Sequence, residues 1–331
     1  MAPTRWGFVA TGRICNDFKV ALDTLPRDEH QIVAVASRSL ETAQKFAKTH
    51  NIPKAYGSYA ELAEQEDIDV VYIGAVHPQH APVTTMMLQA GKPVLCEKPM
   101  AVNSREARQM IGLAKEKNLF FMEAIWSRYF PVYKKVREMI NSGAVGDVKL
   151  VTACLGKVVP QAKLERSVAG GGLLGLGIYT IQFATMVFGE EEPEDITVSG
   201  HLTDGGVDET VTIVLKYSGN RMATLISGAS ANLANEAYVY GTKGSLKIPT
   251  FWCPTEVIAP DGTHEFPLPP PEKPLNYENT GLRFEAMEVR RCLQEGLKES
   301  PLMTHAMSLQ IAGILDQTRK VVGVVYDQDK E

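Results

Sequence analysis

The chain has 331 residues, 44% of them hydrophobic and 22% charged, and a formal net charge of −5. That balance is ordinary for a globular protein, and the length makes two domains the default expectation. No run of Lys and Arg offers a nucleic-acid surface, the apolar runs are too short and interrupted for a membrane span, and residues 1–6 lack the apolar core of a signal peptide. Five cysteines, at 15, 96, 154, 253 and 292, are scattered without a CxxC pair or a Cys/His cluster. This points to free thiols in a reducing cytoplasm and to no metal site.

Residues 6–10 read as a short apolar strand, Thr11-Gly12-Arg13-Ile14 as a turn and 15–25 as a helix. Strand, glycine turn and helix in that order form a dinucleotide-binding context: Gly12 lets the backbone approach a diphosphate, and the free N–H groups of the helix favour the anion. The fingerprint is degenerate, because Ala10 and Cys15 stand where the first and third glycines of GxGxxG would be. A second strand, 31–36, ends in Ser37-Arg38-Ser39. An acid at that tip would bind the ribose 2′-hydroxyl of NAD, whereas an Arg between two hydroxyls suits a 2′-phosphate, so the expected cofactor is NADP. The plainer alternative is that Ser37 caps the helix 40–50 while Arg38 is merely solvated.

The alternation continues. Helices are expected at 59–66, 84–90 and 104–117, the last with Asn103 as N-cap. Strands are expected at 70–74, 93–96 and 119–123. At least five βα repeats argue for a doubly wound parallel sheet, whose ligands sit beyond the C-terminal ends of the strands. Gly12, Ser37, Arg38, Gly74, His77, Glu97, Lys98 and Glu123 all fall at such ends. Lys98, in Glu97-Lys98-Pro99 after an apolar strand, can steer a proton there.

After 124–131 and a helix over 132–141 the pattern changes. Strands at 148–153, 196–200, 210–217, 222–229, 237–241 and 245–248, with hairpin-like links, predict a mainly antiparallel sheet interrupted by one helical insert, 173–188. The open face of such a sheet suits a homodimer. The proline-rich stretch 254–279 reads as an ordered surface loop, and amphipathic helices at 283–295 and 304–321 close the chain. The expected organisation is a Rossmann domain over 1–123 and an α/β domain with an open, mainly antiparallel sheet over 124–331, its last helices packing back on the first domain.

With Glu97-Lys98-Pro99, Trp126-Ser127-Arg128 and Gly170-Gly171-Gly172-Leu173-Leu174 all in order, the chain resembles the glucose–fructose oxidoreductase/inositol dehydrogenase family. Supporting stretches, among them His77-Pro78-Gln79-His80, Gly177-Ile178-Tyr179 and Trp252-Cys253-Pro254-Thr255, span nearly the whole chain. The resemblance implies hydride transfer between NADP and a trans-dihydrodiol, an aldose such as D-xylose, or a small carbonyl compound. It implies that Lys98 lies beside nicotinamide and substrate and that Tyr179 is the acid/base group, with a nearby ammonium favouring the phenolate. The implied cofactor set is Gly12, Arg13, Ile14, Ser37, Arg38, Gly74, His77, Glu97, Lys98, Trp126 and Arg128. Trp126, Tyr179 and Phe183 would face the substrate, and Trp252 is a further wall candidate. One departure stands out. Gly175 occupies the position where the family carries an Asp, four residues before Tyr179, and Leu155 replaces an aromatic residue of close relatives. Two readings follow: a dehydrogenase, or an NADP-binding relative with little or no activity.

Overall fold

A computed structural model of the chain describes residues 2–277 and 279–330. Glu278, inside the loop expected at 254–279, lies outside the described residues. The chain divides into two compact units, Met1–Ala101 with Arg105–Trp126 and Leu268–His305, and Val102–Ser104 with Ser127–Pro267 and Ala306–Glu331.

The first unit runs β1 (Thr4–Val9), α1 (Arg13–Leu22), β2 (His30–Ala36), α2 (Leu40–His50), β3 (Lys54–Tyr56), α3 (Tyr59–Ala63), β4 (Val70–Ile73), α4 (His80–Gln89), β5 (Val94–Glu97), α5 (Ser104–Glu116) and β6 (Phe121–Ala124). The six strands pair in the order β3-β2-β1-β4-β5-β6, and every pairing is parallel. This is the doubly wound sheet of a Rossmann fold, and β4, β5 and β6 are buried along their whole length, as strands covered on both faces must be. Its aromatic core stacks Phe18 on Tyr72 at 4.1 Å and sets Trp6 edge-on to Phe18 at 5.3 Å. The buried Trp6 indole donates to His30 Nδ1 at 3.2 Å, and burial pushes that histidine down to about 4, with Arg290 adding to the effect.

Several boundaries differ from the expected ones for local reasons. Helix α1 begins at Arg13 rather than at residue 15, because Gly12 already serves as its N-cap. Ser39, not Ser37, caps α2 by accepting from Thr42 N–H. Helix α3 opens on a reciprocal capping box between Ser58 and Glu61. Helix α4 starts at His80 rather than 84, because a 3₁₀ turn, His77–Gln79, leads into it. Strand β3 went unpredicted because it is only three residues long.

The second unit holds α6 (Pro131–Asn141), β7 (Val148–Gly156), α7 (Ile178–Phe188), β8 (Asp195–Leu202), β9 (Asp208–Tyr217), β10 (Arg221–Gly228), β11 (Glu236–Gly241), β12 (Gly244–Pro249), β13 (Glu256–Ala259) and β14 (Gly262–Glu265). Its eight strands run β14-β13-β12-β11-β7-β10-β9-β8. All pairings are antiparallel except β7 with β10. Two closing helices follow: α8 (Leu282–Gln294), within the first unit, and α9 (His305–Val322), which after His305 belongs to the second. Part of the proline-rich stretch is thus the β13–β14 hairpin rather than loop. Residues alternate along β7, β9 and β10: Val151, Ala153, Val211, Ile213, Ala223 and Leu225 are buried, against the face on which α7 packs.

The insert expected as a single helix over 173–188 opens with one π-helical turn, Leu173–Gly177, before α7. The stretch Arg166–Phe188 is long and apolar enough to cross a membrane, which corrects the expectation that no such run exists. Yet 83% of its most apolar 18-residue window is buried, so its apolarity is that of a core helix.

Candidate active site

In the first unit the strand tips carry the expected residues. Ala10 takes a left-handed backbone, φ 75°, the conformation a glycine would supply. Cys15 fits at the third fingerprint position because its neighbour is Gly74. The thiol lies 3.6 Å from the Val9 carbonyl and 3.7 Å from that of Gly74, and a Cβ on Gly74 would sit 2.4 Å from the sulfur. One glycine in β4's tip therefore replaces one missing from the turn. Burial drives the Cys15 thiol up to about 12, so it is a packing group and not a nucleophile.

The N-terminus of α1 has no side-chain cap, and Gly12 and Arg13 are exposed. Its first N–H groups are thus available to a ligand, which fits the diphosphate of a dinucleotide. Ser37 is half-buried, with its N–H donating to the Tyr56 carbonyl, and Arg38 is exposed. Residues 268–281 pass beside this turn: the buried Asp17 of α1 accepts from Asn276 N–H and Tyr277 N–H, the latter at 2.7 Å. Asn276 Nδ2 lies 3.4 Å from the Arg13 carbonyl. Sequence reasoning missed this anchor because its two halves are far apart along the chain.

At β5 the Glu97 carboxylate is 7% exposed and not a surface charge. It accepts from the Tyr72 hydroxyl at 2.7 Å and from Lys98 N–H at 3.3 Å, bracing the loop from within. Glu123 accepts from Met100 N–H at 2.8 Å and braces the other side. Lys98 is half-buried at the tip. Beyond β4, His77 is half-buried and edge-on to His80 at 5.7 Å. His80 is fully buried, with Nδ1 2.7 Å from the Pro99 carbonyl and Nε2 3.1 Å from that of Ala75. Burial pushes His80 down, against the pull of the two carbonyls. The ring therefore links the β4 and β5 tips, a role the motif His77-Pro78-Gln79-His80 did not disclose. Trp126 is 4% exposed in the 3₁₀ turn that follows β6.

In the second unit, Tyr179 starts α7 at 6% exposure, its ring edge-on to Trp252 at 6.0 Å. Trp252 is held in turn: its carbonyl accepts from the Ser127 hydroxyl, and the Phe251 carbonyl accepts from the Tyr133 hydroxyl. Two expected site residues lie deep in the packing. Phe183 has no exposed surface and packs between Tyr133 and Phe251. Arg128, expected at the cofactor, is 1% exposed and directs its guanidinium at α7. Nε donates to Gln182 Oε1 at 3.2 Å, and Nη2 donates to the Gln182 carbonyl at 2.9 Å and to Thr185 Oγ1 at 2.6 Å. It is a bolt for the Tyr179 helix. Leu155 is buried in β7. Gly175 lies half-exposed in the π turn, and a Cβ there would meet nothing within 4 Å. Among the described residues no group of three His, Cys, Asp or Glu could hold a metal.

Comparison with known proteins accords with this architecture. Residues 4–125 match an oxidoreductase family described as NAD-binding Rossmann fold, and residues 133–247 match the GFO/IDH/MocA C-terminal domain. Trans-1,2-dihydrobenzene-1,2-diol dehydrogenase of Xenopus laevis is 52% identical over 98% of this chain and 99% of its own. The Homo sapiens protein of that name is 46% identical over the same shares. Among solved structures, an aldose–aldose oxidoreductase from Caulobacter crescentus superposes with a TM-score of 0.83 at 21% identity, covering 97% of this chain and 98% of that one. A 3-ketoreductase from Actinomadura kijaniata in complex with NADP and TDP-benzene does so with 0.81 at 24%, covering 96% and 97%. The chain therefore belongs to the GFO/IDH/MocA family and is an NAD(P)-dependent oxidoreductase acting on CH–OH groups.

Proposed function

We propose that the enzyme is an NADP-dependent dehydrogenase that oxidises a trans-dihydrodiol or an aldose such as D-xylose, or reduces the corresponding small carbonyl compound. The observation that carries this reading is full-length identity of 46–52% to proteins named trans-1,2-dihydrobenzene-1,2-diol dehydrogenase. The exposed Arg38, at a β2 tip without an acid, supports NADP over NAD.

The nicotinamide, when bound, supplies the hydride acceptor or donor. The chain's part is proton handling and orientation. Tyr179 accepts the substrate hydroxyl proton as the carbinol carbon loses hydride, and Lys98 holds a positive charge that favours the phenolate. His80, Glu97 and Glu123 keep the Lys98 loop in place, and Arg128 keeps α7 in place. Gly175 favours slow or redirected turnover. A Cβ at this position would meet nothing within 4 Å, so the space a carboxylate would enter is left open.

A homodimer through the open face of the eight-stranded sheet fits the exposed Met222 and Ile258 and the half-exposed Ile226 and Tyr238 along it. A reducing cytoplasm fits five cysteines that are all free thiols. The functional test is NADPH formation across a panel of trans-dihydrodiols, aldoses and dicarbonyls, repeated with Lys98→Ala and Tyr179→Phe. Turnover lost in both variants with NADPH binding retained supports the assignment. A protein that binds NADPH and turns over no member of the panel refutes it.

A further inference from the structure

The end of the chain lies far from the strand tips in sequence, yet it is tied to two segments that matter. Tyr326 is fully buried, and its hydroxyl donates to the Gly170 carbonyl at the head of the glycine run that leads into the Tyr179 helix. The same run is gripped from its other side by Asp208, which is also fully buried and accepts from Leu173 N–H. A Cβ on Gly171 would lie 2.4 Å from Asp208 Oδ1, so the run closes on that carboxylate because it has no side chains.

Tyr326 is in turn fixed by a charged cluster. Its N–H donates to Asp329 Oδ2 at 2.9 Å, and the Arg319 guanidinium lies 5.1 Å from its ring centre. Arg319 is 4% exposed and bridges two carboxylates, Asp329 at 2.6 Å and Asp316 at 2.8 Å. Those same two carboxylates receive the segment that follows Lys98-Pro99. Asn103 Nδ2 donates to Asp329 Oδ1 at 3.1 Å, and Ser104 N–H donates to Asp316 Oδ2 at 2.9 Å. One buried cation therefore orders the partners of both segments.

We propose that Arg319, Asp329 and Tyr326 form a positioning clamp, which holds the start of the Tyr179 helix and the segment after Lys98 in a single fixed arrangement. The clamp touches no reacting atom. Its effect is on the orientation of Tyr179, to which the proposed function assigns proton transfer, and it rests on that reading. A small loss of orientation lowers kcat steeply while leaving cofactor binding intact.

The test is amide hydrogen exchange on the full-length protein and on Asp329→Asn, with kcat and the NADPH dissociation constant measured on both. In the variant, exchange should rise about tenfold in residues 100–104 and in residues 170–178 together, with residues 30–36 unchanged. A fall of about tenfold in kcat should accompany it, with the NADPH dissociation constant within about twofold. Faster exchange in one of the two segments alone, or unchanged kcat with both segments loosened, overturns the clamp. Should Asp329→Asn not fold, Tyr326→Phe removes only the hydroxyl. Faster exchange over 170–178 with lower kcat then supports the proposal, and unaltered exchange there overturns it. Exchange needs no turnover, so failure of the dehydrogenase reading shows separately, as an inactive wild-type protein.

Discussion

Replacing Arg128 by methionine separates two roles for this residue. Methionine refills most of the volume but removes the donors to Gln182 Oε1, the Gln182 carbonyl and Thr185 Oγ1. Each hydrogen bond from a charged group is worth about 1.5–3 kcal/mol, and two of the bonds lost end on side-chain acceptors. The acceptors would remain buried, so the loss is roughly 3–5 kcal/mol. At about 2–4 °C per kcal/mol for a unit of this size, the melting temperature should fall by roughly 10 °C. Thermal unfolding followed by circular dichroism measures this, and nicotinamide fluorescence measures NADPH binding. The expected pair of results is a large drop in Tm with the NADPH dissociation constant within about threefold of wild type. An unchanged Tm with NADPH affinity lost by about tenfold or more would return Arg128 to the cofactor site and refute the bolt.

Three further outcomes follow from single contacts. Gly74→Ala places a methyl group 2.4 Å from Cys15 Sγ, so it should destabilise by about 1–3 kcal/mol, and Cys15→Ala should restore most of that loss in the double variant; additive effects in denaturant unfolding would contradict the packing. Arg38→Asp should weaken NADPH binding by about tenfold or more and improve NADH, read by fluorescence titration; an unaltered preference removes Arg38 from the ribose site. Asp208 is pushed up to about 6, chiefly by burial, against the pull of the Leu173 and Gly172 N–H groups and of Arg319. Its folded value lies above the ordinary 3.8, so its carboxylate opposes folding at neutral pH and the opposition fades as pH falls from about 6 toward 4. Asp208→Asn should therefore flatten the pH dependence of stability in that window, by an amount on the order of 2 kcal/mol, and an unchanged slope would show that Asp208 does not titrate there.

Much of the first unit was legible because its signals are local. The apolar runs of β1, β2, β4 and β5 end in turn residues, and parallel strands covered on both faces read as continuous apolar stretches. Strand β3, three residues long, leaves no periodicity to detect. The nucleotide turn was readable in outline but not in mechanism, since Cys15 is explained only by Gly74, which belongs to another strand. At the site, two residues show the limit of a linear reading. An aromatic residue near Tyr179 and an Arg after β6 look functional in a linear reading, whereas Phe183 and Arg128 are buried against α6, α7 and the Phe251 turn. Conversely, His80, Asp208 and Tyr326 act on carbonyls and N–H groups distant in sequence, for which composition and spacing carry no signal.

The central claim is direct transfer of hydride from a substrate carbinol to NADP. It is tested most directly by incubating the enzyme with NADP and D-xylose deuterated at C1, or a trans-dihydrodiol deuterated at its carbinol carbons, and recovering the nicotinamide for mass spectrometry. The account predicts one deuterium at C4 of the reduced nicotinamide, a rate slowed by the label, and no product from Tyr179→Phe. Bound NADPH with no deuterium transferred from either substrate would contradict it.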